Sequence, residues 1–542
     1  MIILAIDCGT SAVKALLLSP AEQGGWVLKS RAVQQVTEPS PAAGVPGSVE
    51  QNAEAWWDAA CAASKAVLAE SPEAANAVEA IGISGIMQTL ILCGVDSVAL
   101  RPALLYSDTR GTVEATELEQ TIGRDRLLAE TANFKGAASI LPKLMWLKKH
   151  DPSSLAAASL ILLGAHDYLY TRLTGVSSAA CTDLTNAATT GLLRAGASAW
   201  HDALLTEAGF AELLPKLPKL SVTPADSVAP LSASAAAQLG LHTTQRTIRV
   251  CHGAGDLGTT TIGALAPLGG IGAYCYLGTS GWVACAAHSD TLSAPRAFGV
   301  RHPRAGVSIA AAPMTTAGGH LSWLAKALYP DVEESAAYAR IEEEASLAAA
   351  DAGGVLFLPY LAGERCPIED PHARACWIGM SGATGRKEMC RSVLLGIAFA
   401  LRSLLMLLPA SDGGSDGGGG GGGADSGRGG GALVLVGGAA RSRVLQQTLA
   451  DVLQRVVVVP SQPQDVGALG AAELCAEAMG LKVLPAGAAD ISDGASAADA
   501  QVSRAVPNAA LAPCLDAAFE AFCGAHPSLK ETFGRLAAAP RA

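Results

Sequence analysis

Positive charge is scarce in this chain: 38 lysines and arginines stand against 49 aspartates and glutamates, for a formal net charge of −11. A surface of that sign repels phosphate backbones, which excludes nucleic-acid binding as the main activity. Charged residues of both signs reach only 16%, against 50% hydrophobic residues, so neither a disordered chain nor a long coiled coil fits. No uncharged apolar run approaches the roughly 18–20 residues that a membrane span needs. The basic-then-apolar pattern of a secretory signal is missing too, since the sequence opens directly on the strand-like Met1-Ile2-Ile3-Leu4-Ala5-Ile6-Asp7. A soluble, cytoplasmic protein without a membrane partner is expected, a trimmed organellar transit peptide remaining compatible with it. None of the 13 cysteines forms a Cys-x-x-Cys pair, and no His/Cys group has zinc-ligand spacing. Buried, reduced thiols are the expectation.

What is present is length and a repeated texture. At 542 residues the chain exceeds one compact unit, and two large domains or about three are expected. Residues 1–260 alternate short Ile/Leu/Val runs, such as 79–84, with longer helical patterns, such as 54–69. Residues 270–480 repeat the pattern, and the alanine-rich remainder is expected to pack as helices on the second half. Such alternation argues for α/β layers. Residues 411–431 read SDGGSDGGGGGGGADSGRGGG, a tract with no preferred shape, expected to be a surface loop between a helix and the strand-like Ala432 to Val436. One echo links the halves. Asp7-Cys8-Gly9-Thr10-Ser11 and Leu277-Gly278-Thr279-Ser280-Gly281 each follow a β-rich run, which suggests a duplicated fold with a phosphate site between its parts.

Four segments carry candidate chemistry. Gly9-Thr10-Ser11 at a tight turn leaves backbone N–H groups and hydroxyls for phosphate oxygens, with Lys14 as a point charge. Asp7 beside them suits a magnesium ion, which takes one or two carboxylates and keeps its waters. The same pattern also fits an ordinary hairpin turn. Gly278-Thr279-Ser280 offers similar groups from the other half. Gly437-Gly438-Ala439-Ala440-Arg441-Ser442 follows a buried-type strand, and its small residues would let a flat ring approach the backbone; a plain strand-to-helix turn fits equally. Asp256, between glycines at a strand end in His252-Gly253-Ala254-Gly255-Asp256, is placed as a general base would be, or as a helix cap. His252 reads as a structural histidine.

Together these blocks resemble the FGGY family of carbohydrate kinases, over Asp7 to about Gly480. The resemblance includes Val49-Glu50-Gln51-Asn52 ahead of Trp56-Trp57, Ser107-Asp108-Thr109-Arg110, Lys143 to His150, Phe357 to Arg365, and Ala375 through Gly379 to Leu394. It implies two RNase H-like α/β lobes of the actin/Hsp70/sugar-kinase type, each on a five-stranded mixed sheet, with the active site in the cleft. The N-terminal lobe would span 1–265 and the C-terminal lobe 266–480, with the Gly-rich loop at 411–431 and a helical extension at 481–542. It implies ATP and Mg²⁺ as cofactors and a small sugar, most similar to those of pentulose kinases (D-xylulose or D-ribulose), as substrate.

By the same resemblance Asp256 is the catalytic base and Asp7 the metal-positioning residue. Thr10, Ser11 and Lys14, with Gly278, Thr279 and Ser280, would cradle the phosphates, and Gly437, Gly438 and Ser442 would lie along the adenosine. Asp108, Met87 and Gln88 would line the sugar pocket with Asp256. Two positions depart from the pentulose-kinase pattern: Gln88 stands where a histidine is usual, and Leu257 where an asparagine is. Two rival readings are an ATPase switch with a protein partner, similar to actin or Hsp70, and a silent sugar sensor.

Overall fold

The computed structural model describes residues 1–539 apart from 23, 132, 176–179, 242–246, 289–296, 410–430 and 482–501. All but the last residue of the Gly-rich tract, 411–431, thus lies outside the described residues.

Ile2–Cys8 (β1) has Ile3, Leu4, Ala5 and Ile6 all fully buried, the mark of a strand covered on both faces. It pairs antiparallel with Ala12–Pro20 (β2), which pairs with Trp26–Gln35 (β3), and parallel with Val78–Gly85 (β4). Val228–Pro230 (β5) and Arg249–Gly255 (β6) complete a six-stranded sheet in the order β5-β6-β4-β1-β2-β3. The second sheet takes Gly272–Leu277 (β7), Gly281–His288 (β8), Phe298–Arg301 (β9), Val307–Met314 (β10), Leu433–Val436 (β11), Val457–Pro460 (β12) and Val502–Ala505 (β13). Its order is β9-β10-β8-β7-β11-β12-β13. The resemblance implies a five-stranded sheet in each lobe, and sheets of six and seven strands are found. The additional strands β5, β9 and β13 are edge strands of three or four residues, too short to leave a periodic signal.

Helices cover both sheets: Ala53–Glu70 (α1), Ala165–Thr174 (α2), Asp256–Leu265 (α3), Arg386–Leu405 (α4), Arg443–Leu453 (α5), Val466–Ala478 (α6) and Ala512–Ala538 (α7). In α1 the Asn52 side chain accepts from the Glu54 amide, and Trp56 and Trp57 face the first core. The tail supplies α7, whose Leu515, Phe519, Phe522 and Phe533 join the second core. Nine cysteines are buried as expected, but Cys514 and Cys523 lie on the exposed side of α7. Among the described residues no helix is long and apolar enough to cross a membrane.

Two helices cross between the sheets. α6, from the second half of the chain, lays Ala468, Ala472, Cys475 and Ala476 against Ile3, Ala5, Leu16 and Ala80 of the first sheet. α3, from the first half, puts Ala264 and Leu265 against Tyr274, Val434 and Val436 of the second. The helices approach backbone to backbone: a Cβ on Gly470 would collide with the Thr259 carbonyl, and one on Gly263 with that of Val466. Gly470→Val is therefore expected to cost about 1–3 kcal/mol by overpacking. A thermal melt would show this as a drop of several degrees.

Candidate active site

Parallel pairing decides what meets at the cleft. In the first sheet Cys8 lies opposite Gly85, and Gly85 opposite Gly255, so three strands end on one level. The segments that follow (9–14, 86–88 and 256 onward) open on the same edge, where ligands of α/β sheets bind. In the second sheet Tyr276 lies opposite Val436, which brings 278–280 beside 437–442. Gly437 takes φ +96°, and a Cβ there would strike the Leu277 carbonyl, so only glycine lets the turn pass this close.

A cavity of about 860 Å³ lies between these turns. Thr10, Ser11 and Lys14 line it from the first lobe, and Gly278, Thr279 and Ser280 from the second. Gly437, Gly438 and Ser442 line it as well. The Ser442 hydroxyl is already committed, accepting from the Leu445 amide as the cap of α5 and donating to Glu342. A smaller cavity of about 200 Å³ is lined by Met87, Gln88 and Asp256. Gly9, Thr10, Tyr106, Tyr276 and Ser280 line both, and so mark where the two cavities meet.

Asp108 is not brought to either cavity. It is fully buried and grips Arg110 through both carboxylate oxygens at 2.7–3.0 Å, while accepting from the Val49 amide at 2.7 Å. Its charge is spent on ordering the 49–51 segment, which also meets Arg110 through Glu50. The resemblance implies that Asp108 lines the sugar pocket, whereas it lines neither of these two cavities. Residues without an assigned role in the sequence do line the smaller cavity: Tyr106, Thr189, Trp282, Phe298 and Arg365. Tyr106, Trp282 and Arg365 lie in or beside the sequence blocks already singled out, but nothing local marks Thr189 or Phe298. The Trp282 ring stacks on Tyr276 at 4.0 Å, and its indole N–H donates to the Tyr274 hydroxyl at 3.0 Å.

Charge on the cleft floor is concentrated. The Asp7 carboxylate accepts from Ser84 at 2.8 Å and faces the Lys14 ammonium at 3.5 Å. Lys14 also donates to the Gln464 carbonyl at 2.7 Å. Burial would lower the Lys14 pKa, but Asp7, helped by Tyr276 and Asp465, outweighs it and holds the ammonium above the ordinary lysine range. Asp256 is the first residue of α3; among the described residues its side chain has one hydrogen bond, from the Leu257 amide at 2.8 Å. Burial, and after it the Asp7 charge, push its carboxyl up to about 7, against the pull of His166 and the Leu257 amide. That value suits a group that accepts a proton near neutral pH. Two carboxylates that disfavour each other, backed by hydroxyls and small-residue turns, are a hard-oxygen donor set that fits a divalent cation and a polyphosphate.

Residues 2–263 match the N-terminal domain, and residues 273–479 the C-terminal domain, of the FGGY family of carbohydrate kinases. The xylulose kinase of Escherichia coli is 30% identical over 485 residues, 87% of this chain and 89% of that one. The xylulose kinase of Bacillus subtilis is 30% identical over 401 residues, 74% and 76% of the two chains. In fold, the crystal structure of ligand-bound xylulose kinase from Lactobacillus acidophilus superposes with a TM-score of 0.77 at 22% identity, over 99% of both chains.

Proposed function

The chain belongs to the FGGY family of carbohydrate kinases and is an ATP-dependent sugar phosphotransferase, and from that premise we propose that it phosphorylates a pentulose, D-xylulose foremost, with MgATP. The observation that carries this reading is the junction of the two cavities. A carboxyl poised near neutrality stands in the smaller one, and two phosphate-type turns face each other across the larger.

Met87 and Gln88 hold the sugar, and Asp256 accepts the proton of the hydroxyl that attacks. Thr10, Ser11, Lys14, Gly278, Thr279 and Ser280 hold the phosphates in line with it, while Gly437, Gly438 and Ser442 border the adenosine. Magnesium, positioned by Asp7, supplies neutralisation of phosphate charge when bound. Positioning and charge stabilisation supply most of the acceleration, and closure of the cleft keeps water from taking the sugar's place. Gln88 retains an amide for a sugar hydroxyl where its relatives usually present a histidine, while Leu257 makes its side of the pocket apolar.

The test is coupled ADP release with MgATP against D- and L-xylulose, D- and L-ribulose, erythritol, glycerol, gluconate and fructose. Stimulation by D-xylulose above the other sugars is expected. A stronger response to a non-pentulose overturns the substrate class, and no response to any sugar favours the silent sensor.

A further inference from the structure

Beneath the smaller cavity lies a polar cluster that the reaction above does not use. His166 and Asp167 open α2, Asp183 ends the short strand Cys181–Asp183, Asn186 follows it, and His252 sits in β6. His166, Asp167, Asn186 and His252 are completely buried, and Asp183 almost so. Burying so many polar groups is costly unless they satisfy one another; these form one connected set, in which His166 Nδ1 and His252 Nδ1 are left without a partner among the described residues.

The connections run from one end of the pocket to the other. The Gln88 backbone N–H donates to Asn186 Oδ1 at 3.0 Å, and Asn186 Nδ2 donates to Asp167 Oδ2 at 3.4 Å. Asp167 Oδ1 accepts from His252 Nε2 at 2.8 Å and lies 3.2 Å from His166 Nε2. His166 Nε2 donates to Asp183 Oδ2 at 2.9 Å, and that same oxygen accepts from the Gly255 amide at 3.0 Å. Gly255 ends β6 and is the N-cap of α3, immediately before Asp256. Gln88, at the other end, holds φ +53°, a conformation unfavourable for a non-glycine residue unless its backbone is anchored.

We propose that His166 and Asp183 are positioning residues: through the Gly255 amide they set the Asp256 carboxylate against the substrate hydroxyl, and through Asp167 and Asn186 they couple it to Gln88 at the sugar. The inference rests on the assignment of Asp256 as the base. It gives the pocket a single frame, in which movement of the sugar-binding residue and of the base are linked by hydrogen bonds through the protein interior.

The electrostatics point the same way. The groups that face Asp256 are Asp7 and Cys8 of β1, His166 of α2, Asp183, and Tyr274 and Tyr276 of β7. Among these His166 is the one that favours the ionised carboxylate. Burial disfavours its own charge, but Asp167, Asp183 and Asp256 outweigh that and raise it above the ordinary histidine range. The ring has room because residue 164 is glycine; a Cβ there would collide with the His166 ring and press on Asn186 Nδ2 as well.

The experiment is steady-state kinetics and pH profiles of kcat/KM on His166→Gln and Asn186→Ala, with Asp256→Asn as reference. Folding is checked by circular dichroism, and MgATP affinity by titration. His166→Gln is expected to keep MgATP affinity, to lose about 10–100-fold in kcat, and to move the acid limb upward, because a favourable charge beside Asp256 is gone. Asn186→Ala is expected to raise KM for the sugar several-fold with the acid limb unmoved. If His166→Gln does not fold, Gly164→Ala, which displaces the ring and keeps every member of the network, should move the limb the same way. A folded His166→Gln protein with wild-type kcat and acid limb overturns the proposal. So does a stoichiometric divalent metal bound to His166, Asp183 and His252, whose ligating atoms lie within 4.8 Å of one another. An Asp256→Asn protein that keeps its turnover instead overturns the base assignment, and the coupling with it.

Discussion

Asp256→Asn should turn over the sugar about 10²–10⁴ times more slowly than the wild type while melting at a higher temperature above pH 7. The two effects share one cause. Unfolded, the carboxyl ionises near 4; folded, burial and then Asp7 hold it at about 7. Between those values the unfolded chain binds fewer protons than the folded one, so this group lowers stability as pH rises, and the loss is complete above 7. Asparagine keeps the hydrogen bond from the Leu257 amide and carries no charge to desolvate. The gain should be absent at pH 4 and largest at pH 8, with a ceiling of about 4 kcal/mol, at about 1.4 for each pH unit of displacement, that water in the open cleft reduces. Melting curves at the two pH values, beside turnover at pH 8, check it. A variant that is slow yet no more stable at pH 8 would contradict the account given of the carboxyl.

For Asp7→Asn the expected result is a turnover at least about tenfold to a hundredfold lower, with the acid limb of kcat/KM moved below its wild-type position near pH 7. Asp7 is the like charge that raises Asp256 most, so its removal lets the base ionise at lower pH. Lys14 also loses the carboxylate it faces at 3.5 Å, so KM for MgATP should rise. The combination is diagnostic, since general damage to the site would lower activity without moving the limb downward. A pH series of kcat/KM at saturating magnesium reads both effects, and a limb that stays in place would separate Asp7 from the base.

Much of this architecture is local in sequence and therefore legible there. β1 announces itself by Ile2 to Ile6, the turn after it by Gly9-Thr10-Ser11, and the turn after β11 by Gly437-Gly438. Each needs only neighbouring residues to specify it. Met87 and Gln88 are reached only through the family resemblance. What was not legible depends on which groups the fold brings together, which the linear order does not announce. Asp108 looks like a ligand until Arg110, two residues away, folds back on it. His252 reads as a lone core histidine because its partner Asp167 stands 85 positions earlier. β13 is four residues with no alternation to give it away, and exists because β12 offers an edge. The crossing of α3 and α6 leaves its trace in Gly263 and Gly470, yet nothing near either glycine says which helix it meets.

The crossing also sets a timetable for synthesis. The last strand of the first sheet ends at Gly255, but the helix that covers Ile3, Ala5, Leu16 and Ala80 begins only at Val466. At the usual 5–20 residues per second of translation, the roughly 210 residues between them take about 10–40 s to emerge. Throughout that interval the nascent first lobe carries a bare apolar strip. The half of the protein that is made first is thus finished last, and its surface must stay out of trouble until the second half arrives to close it.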